Sequence, residues 1–111
     1  MLKTQRVTLV GVNPALVAKL RLVLPSTYQL RNFTGTLEFG ISAFHVIETE
    51  FVGWQTRLLQ LIKAGEKLVV VFANPDPGWE KAVMAVGGVV LRPSDGDDII
   101  RSALLRSKFI A

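Results

Sequence analysis

Few residues of this sequence could do chemistry together, and the most informative ones stand where short apolar runs end. Asn13 follows the first run, Glu48 the third, Ala73 ends the fourth, and Arg92 follows the fifth. If these runs are parallel strands, their carboxyl ends meet at the edge where α/β proteins place their reacting groups. A carboxylate and a guanidinium at that edge could form an ion pair that locks one conformation. Otherwise Glu48 is a solvated loop charge and Arg92 a surface residue before a turn.

Most other kinds of site are excluded by residue type. The chain has no cysteine and a single histidine, His45, so a disulfide or a thiolate metal site is impossible and a zinc site is not expected. His45 lies within an apolar run and is predicted to be a hydrogen-bonded core or edge residue. The scattered serines pair with no general base, so no enzyme is predicted. Glycine-rich phosphate-binding motifs are absent, and no cofactor is expected.

Length and composition favour one compact domain. The chain has 111 residues, 50% of them hydrophobic, which provides core for a single domain spanning 1–111. The net charge of +4 comes from scattered basic residues, so nucleic acid is not an expected partner. No apolar stretch approaches the roughly 20 residues of a membrane span, and we expect a cytoplasmic protein.

Apolar periodicity predicts alternating strands and helices. The fourth run has no polar break, which is typical of a central strand buried on both faces. The second run carries interleaved polar residues, as expected of an edge strand. The predicted strands are 6–11, 28–33, 43–47, 67–73 and 89–91.

Start signals for helices follow three of these strands. Asn13 and Asp76 are each followed by proline, the pattern of an N-cap residue and a first helical position. Asp95 with Asp98 resembles a capping box for the last helix. Residues 34–42 have no clear period, so the second helix is expected to be short or irregular.

The alternation of strands and helices predicts the fold class. Short connections between strand and helix favour parallel strands joined by right-handed crossovers, with helices on both faces. We therefore predict an α/β, flavodoxin-like, doubly wound sheet of five parallel strands. The alternation alone does not fix the strand order, but five strands in a chain of this length favour the order 2-1-3-4-5. The carboxyl ends of strands 1, 3 and 4 would then meet at the topological switch point.

On these residues the chain resembles, over nearly its whole length, the receiver domain of bacterial response regulators, the CheY-like family. The segment 89–95 looks like the family's fifth strand with its Lys-Pro pair, although Arg92 stands in place of the lysine. The resemblance places Asn13 where the family has its acidic pair for Mg²⁺, Glu48 at the phosphoacceptor aspartate and Ala73 at the hydroxyl residue. These positions are degenerate equivalents of a phosphorylation site.

The resemblance implies a receiver shape without receiver chemistry. Mg²⁺ requires anionic oxygen ligands, so a degenerate pseudo-receiver that binds no Mg²⁺ is expected. Such a domain would act in signal transduction independently of phosphorylation, through protein–protein interaction or dimerisation. The alternative is a small ligand-binding or nucleotide-binding domain that uses the same strand ends. A closed edge would favour the first interpretation and a deep open one the second.

The family also suggests where partners bind. Receiver-like domains commonly associate through the surface of their fourth helix, fifth strand and fifth helix. On that basis Arg101, Arg106, Lys108 and Phe109 are candidate contacts with a protein partner or a second copy of the chain. The opposing interpretation is a solvated helix face followed by a frayed tail.

Overall fold

The computed structural model describes residues 4–111, in which strands and helices alternate except at one crossover. The first three residues of the predicted domain, which spans 1–111, lie outside the described part. The elements are β1 (Gln5–Val10), α1 (Pro14–Val23), β2 (Tyr28–Asn32), β3 (Phe44–Glu48), α2 (Trp54–Lys63), β4 (Leu68–Val71), α3 (Pro77–Ala85), β5 (Val89–Leu91) and α4 (Asp97–Arg106).

The strands form one parallel sheet in the order β2-β1-β3-β4-β5. This confirms the predicted flavodoxin-like, doubly wound layout. Predicted strand ends are shifted by one or two residues. β3 extends to Glu48, because this residue is still in register with Val71 of β4. The carboxyl end of the third strand is therefore itself a charged residue.

Two apolar layers hold the sheet between its helices. One layer packs α1 and α4 against strand residues that include Val7 and Phe44. The other packs α2 and α3 against strand residues that include Val10 and Ile47. All of β4 is buried, as predicted for a central strand. Full burial of each large apolar side chain contributes roughly 1.5–3 kcal/mol, so these layers are the main source of stability.

Two of the three predicted helix starts are correct. Asn13 and Asp76 cap α1 and α3, each with proline at the first helical positions. The capping box predicted for α4 is wrong. Gly96 precedes that helix without a side-chain cap, and Asp95 Oδ2 instead accepts a hydrogen bond from the Arg92 backbone N–H at 2.7 Å. Asp95 therefore stabilises the turn after β5, and its side chain caps no N–H of α4.

The crossover from β2 to β3 contains no helix. Residues 33–43, called here the crossover segment, consist of bends and irregular backbone, in agreement with the expectation of a short or irregular second helix. Within this segment Leu37 is buried and joins the layer of α2 and α3. The buried side chain of Leu37 stands where a helix would supply a whole apolar stripe, so this part of the sheet is covered by fewer apolar side chains.

The chain after α4 folds back onto the core. Phe109 is 8% exposed, and its ring centroid lies 5.5 Å from that of Phe44. Lys108 adopts φ 62°, the left-handed turn that reverses the chain direction. The tail is therefore packed, and Phe109 is not available as a surface contact. None of the described helices combines the length and apolar character needed to cross a membrane.

Candidate functional site

The carboxyl edge of the sheet holds a buried carboxylate whose two oxygens are both hydrogen-bonded. Glu48 is 1% exposed. Its Oε1 accepts from the Asn13 backbone N–H at 3.0 Å, and its Oε2 accepts from Asn13 Nδ2 at 2.8 Å. A buried carboxylate needs such donors, because an unpaired one would lose its hydration without compensation. Glu48 is thereby tied to the start of α1.

The amide of Asn13 is held in one orientation by its second task. Its Oδ1 accepts from the Leu16 backbone N–H at 3.0 Å, which caps α1. An asparagine amide has one acceptor oxygen and one donor nitrogen, so the cap turns the NH₂ group toward Glu48. Asn13 therefore caps α1 with its side-chain oxygen and satisfies Glu48 with its side-chain NH₂ group and its backbone N–H.

Thr49 closes the edge on the side of β4. Its Oγ1 accepts from the Ala73 backbone N–H at 3.1 Å, and its own N–H donates to the Val71 carbonyl at 3.0 Å. Ala73 itself offers only backbone groups here. The hydroxyl at this edge thus comes from Thr49, which the sequence interpretation did not single out although it directly follows Glu48.

An aromatic ring covers the end of β1. Gly11 has φ +63°, and a Cβ placed on it would lie 2.1 Å from the Phe51 ring. Glycine is required both by the left-handed backbone and by this close approach. Phe51, in the loop between β3 and α2, therefore occupies space that a ligand at this edge would need. The sequence alone shows no signal for this contact.

Arg92 pairs with Glu80, and the pairing of Arg92 with Glu48 considered from the sequence is wrong. Arg92 Nη2 lies 2.6 Å from Glu80 Oε1, and Glu80 Oε2 accepts from the Asp76 backbone N–H at 2.7 Å. The Arg92 hydrogen bond, supported by Asp76, lowers the pKa of Glu80, and the same bond raises the pKa of Arg92. Glu48 is already satisfied by Asn13, whereas Glu80 lies in the first turn of the neighbouring α3.

Glu80 could have been found from the sequence. It follows the predicted N-cap Asp76 by four residues and reaches back to its N–H, a relative of the capping box. Its link to Arg92, by contrast, depends on how α3 sits beside β5. Among the described residues Arg92 Nη1 is buried without a hydrogen-bond partner, so the guanidinium is held largely by this one carboxylate.

The residues at this edge do not fit the magnesium ion that the resemblance to receiver domains implies. Mg²⁺ prefers several oxygen ligands, with one or two carboxylates among them. Glu48 is the carboxylate at this position, and both of its oxygens face N–H donors of Asn13. Within residues 4–111, no three acidic, histidine or cysteine side chains are placed together so as to hold a metal.

His45 is a core residue of β3, as predicted, but without the expected hydrogen bond. It is 0% exposed, and neither imidazole nitrogen has a partner among the described protein atoms. Burial lowers the pKa of His45. The Glu66 carboxylate and, more weakly, the Glu38 backbone oppose this shift, although the Glu38 backbone makes no hydrogen bond with the imidazole. The imidazole is therefore neutral at pH 7 and makes no hydrogen bond to the residues at the carboxyl edge of the sheet.

The predicted interface residues fall into two groups. Arg101 lies on the exposed side of α4, with Nη1 3.6 Å from Asp98, and Arg106 donates from Nε to the Ser102 carbonyl at 3.4 Å. Lys108 is exposed after the helix. The prediction that Phe109 lies at the interface is wrong, because its ring is buried in the core.

Comparisons with known proteins establish the fold. No protein-family model matches the sequence, and no curated protein matches it. The structure is similar to the ChxR receiver domain of Chlamydia trachomatis, with TM-score 0.63 and 16% identity over 94% of this chain and 98% of that one. It is also similar to a CheY-like response regulator receiver domain of Methanospirillum hungatei JF-1, with TM-score 0.71 and 12% identity over 96% of this chain and 94% of that one. The chain thus has the fold of a receiver domain.

Proposed function

We propose that this chain is a pseudo-receiver, a regulatory module of signal transduction that acts by binding protein and without phosphorylation. The observation that carries the proposal is the pairing of Glu48 with Asn13. Glu48 stands at the end of β3, where the resemblance places a phosphoacceptor, yet it is buried and both of its oxygens accept hydrogen bonds. The residue is used to join β3 to α1.

Physical chemistry supports the loss of phosphorylation at this edge. Phosphoryl transfer depends on positioning and on neutralising the charge of the transferred group, for which a metal ion and free cations are needed. Here the Mg²⁺ ligands are replaced by Asn13, and Arg92 is engaged by Glu80. An incoming phosphoryl group would have to displace the Asn13 donors from Glu48 without gaining a metal. We therefore assign the domain no catalytic step.

Closure of the edge also favours a protein-binding module over a ligand-binding one. The Phe51 ring lies against Gly11, and the Thr49 hydroxyl is bonded to the Ala73 backbone. A small molecule or nucleotide at the strand ends would have to displace both. No contact at this edge favours the alternative.

Amide NMR with a phosphoryl mimic tests the proposal. Addition of Mg²⁺ and beryllofluoride should leave the spectrum of the wild-type chain unchanged, because Asn13 and Glu48 cannot build the mimic site. A phosphorylatable receiver domain, titrated under the same conditions, serves as the positive control. Saturable shifts clustered at residues 11–13, 48, 73 and 92 would overturn the proposal.

The proposed contact surface comprises α3, β5 and α4. β5 is the last strand of the sheet, so its outer edge pairs with no described strand. The helices beside it carry exposed apolar side chains, among them Met84 on α3 (56% exposed) and Ile99 on α4 (53%). Arg101 and Arg106 lie on the same helix as Ile99. Apolar residues surrounded by charged ones are typical of a protein interface.

Molar mass measured by light scattering tests this surface. If two copies associate through it, Met84→Glu and Ile99→Glu should each lower the mass to that of a monomer. Leu22→Glu is the control, since Leu22 is 71% exposed on α1, a helix that is not part of the proposed surface. A wild-type monomer at high micromolar concentration would contradict the homodimer. Equal capture of a partner by wild type and by Met84→Glu would contradict the surface itself.

A further inference from the structure

The sheet face beneath the crossover segment is polar where a doubly wound sheet is normally apolar. Val7 and Leu9 of β1 point into the layer of α1 and α4, so the alternation of a strand turns Arg6 and Thr8 to the other face. The parallel register places Thr8 beside Arg31 of β2. Helices usually cover such a face and require apolar partners from it. This part of the sheet has instead cations and hydroxyls under an irregular segment.

These side chains line a recess between the sheet and the crossover segment. The recess has a volume of about 190 Å³. That is below the roughly 300–1,000 Å³ of pockets that hold drug-sized ligands, so a group of few heavy atoms fits it best. Its lining includes Arg6, Thr8, Arg31, Thr34, Thr36 and Glu38.

The charge of the recess is only partly balanced. The Arg6 guanidinium lies 3.9 Å from the Glu38 carboxylate, whose side chain is 69% exposed, so this ion pair is long and solvated. Within the described chain, Arg31 makes no ion pair or side-chain hydrogen bond. The Thr8 hydroxyl is hydrogen-bonded to Ser42 Oγ at 2.6 Å. Protection of a sheet edge explains a charge on the terminal strand β2, but it does not explain Arg6 on the interior strand β1.

We propose that this recess binds a small tetrahedral oxyanion, either free phosphate or the phosphate of a monoester. Guanidinium groups offer planar pairs of N–H donors that match phosphate oxygens, and the hydroxyls of Thr34 and Thr36 can donate to the remaining ones. The two arginines lie on neighbouring strands at diagonal positions, Arg6 beside Gln29 and Arg31 beside Thr8, and so can approach one anion from two sides. The site is separate from the Glu48 edge and does not depend on the proposed function.

Amide NMR titrations at constant ionic strength test the site with inorganic phosphate and, in a separate arm, with phenyl phosphate. We expect saturable shifts confined to residues 6, 8, 31, 34 and 36. Arg31→Gln should weaken binding about tenfold, because it removes a charge-assisted pair of donors. Arg101→Gln is the control, since it removes the same charge from the exposed side of α4, and it should leave the affinity unchanged.

The titrations also separate the two sources of the anion. Tighter binding of phenyl phosphate would support a monoester, whereas equal affinities would support free phosphate. Shifts that spread over all basic residues without saturating, or equal losses in Arg31→Gln and Arg101→Gln, would overturn the site. Thr36→Val, which removes a hydroxyl and keeps the side-chain shape, gives a second test through a residue that carries no charge. An unchanged affinity in both Arg31→Gln and Thr36→Val would also overturn it.

Discussion

Two polar regions of this domain differ in how their charges are satisfied. At the carboxyl edge of the sheet, the buried Glu48 accepts two hydrogen bonds from Asn13 and is sealed from solvent. In the recess under the crossover segment, Arg31 has no partner among the described residues and Arg6 has only a distant one. The first region is the usual location of chemistry in this fold, yet it is the closed one.

The difference shows that the position of a polar group within a fold does not decide its use. A buried group that is fully paired within the chain contributes to stability and has nothing left to offer a ligand. A partly exposed cation without a partner contributes little to stability and remains available to an anion. Substitutions at the edge, beside the recess and within it should therefore differ in their effects on stability.

The largest effect is expected from Glu48→Ala. The substitution removes a buried side chain that accepts two hydrogen bonds from Asn13 and leaves a cavity in its place, which should lower the free energy of unfolding by about 3 kcal/mol. Urea unfolding followed by circular dichroism measures the change. Glu48→Gln is the control, since it keeps one acceptor oxygen and should cost less. A loss below about 1 kcal/mol for Glu48→Ala would show that the edge is not held by this pair.

Asn13→Asp should have the next largest effect. Aspartate preserves the N-cap of α1 but turns an oxygen instead of an NH₂ group toward Glu48, so two carboxylates would repel each other. We expect a loss of about 2 kcal/mol near neutral pH. Millimolar Mg²⁺ should restore part of it in the variant and leave the wild type unchanged, as measured by thermal unfolding. Equal responses to Mg²⁺ in both chains would contradict the role assigned to Asn13.

His45→Leu should have a smaller effect of opposite sign. Removing two buried nitrogens that lack partners should raise the free energy of unfolding at pH 7 by about 1 kcal/mol. Burial lowers the pKa of His45, so the unfolded chain takes up the proton first. Wild-type stability should therefore fall as the pH decreases below about 6.5, whereas the variant should lose this component. Parallel pH profiles from urea unfolding would show that the imidazole is not shielded from solvent.

The smallest effect is expected from Arg31→Gln. Arg31 is exposed and has no partner among the described residues, so its loss should change the free energy of unfolding by less than about 0.5 kcal/mol. Arg31→Lys should behave in the same way. Unfolding in phosphate-free buffer is the relevant measurement, because a bound anion would add stability to the wild type. A larger loss in that buffer would place Arg31 with the structural residues of the edge.

Much of the fold could be predicted because it depends on local patterns. Apolar periodicity located all five described strands, and Asn13-Pro14 and Asp76-Pro77 marked two helix starts. Local patterns did not fix the order of the strands, which was predicted from their number and the length of the chain and is confirmed. Residues 34–42 lacked a period, and the structure has no helix there. For the strands and helices themselves, a few neighbouring residues carried the information.

The candidate site was less predictable because its contacts join distant parts of the chain. Arg92 pairs with Glu80 and not with Glu48, and the Phe51 ring packs against Gly11. Phe109 was expected at a surface, but the turn at Lys108 returned it to the core. Residue types restrict which of these contacts can form, and the packing of the tertiary structure determines which of them do form.

By itself, the sequence determined the alternation of strands and helices, the absence of cysteine chemistry and the absence of acidic residues directly after β1. Those properties depend on residue type and local spacing. Only the tertiary structure decided that Glu48 would be satisfied by Asn13, that the edge would be covered and that Arg6 and Arg31 would share a recess. Hydrogen bonding and burial depend on which groups meet in space, and strands far apart in the chain meet only when the sheet has formed.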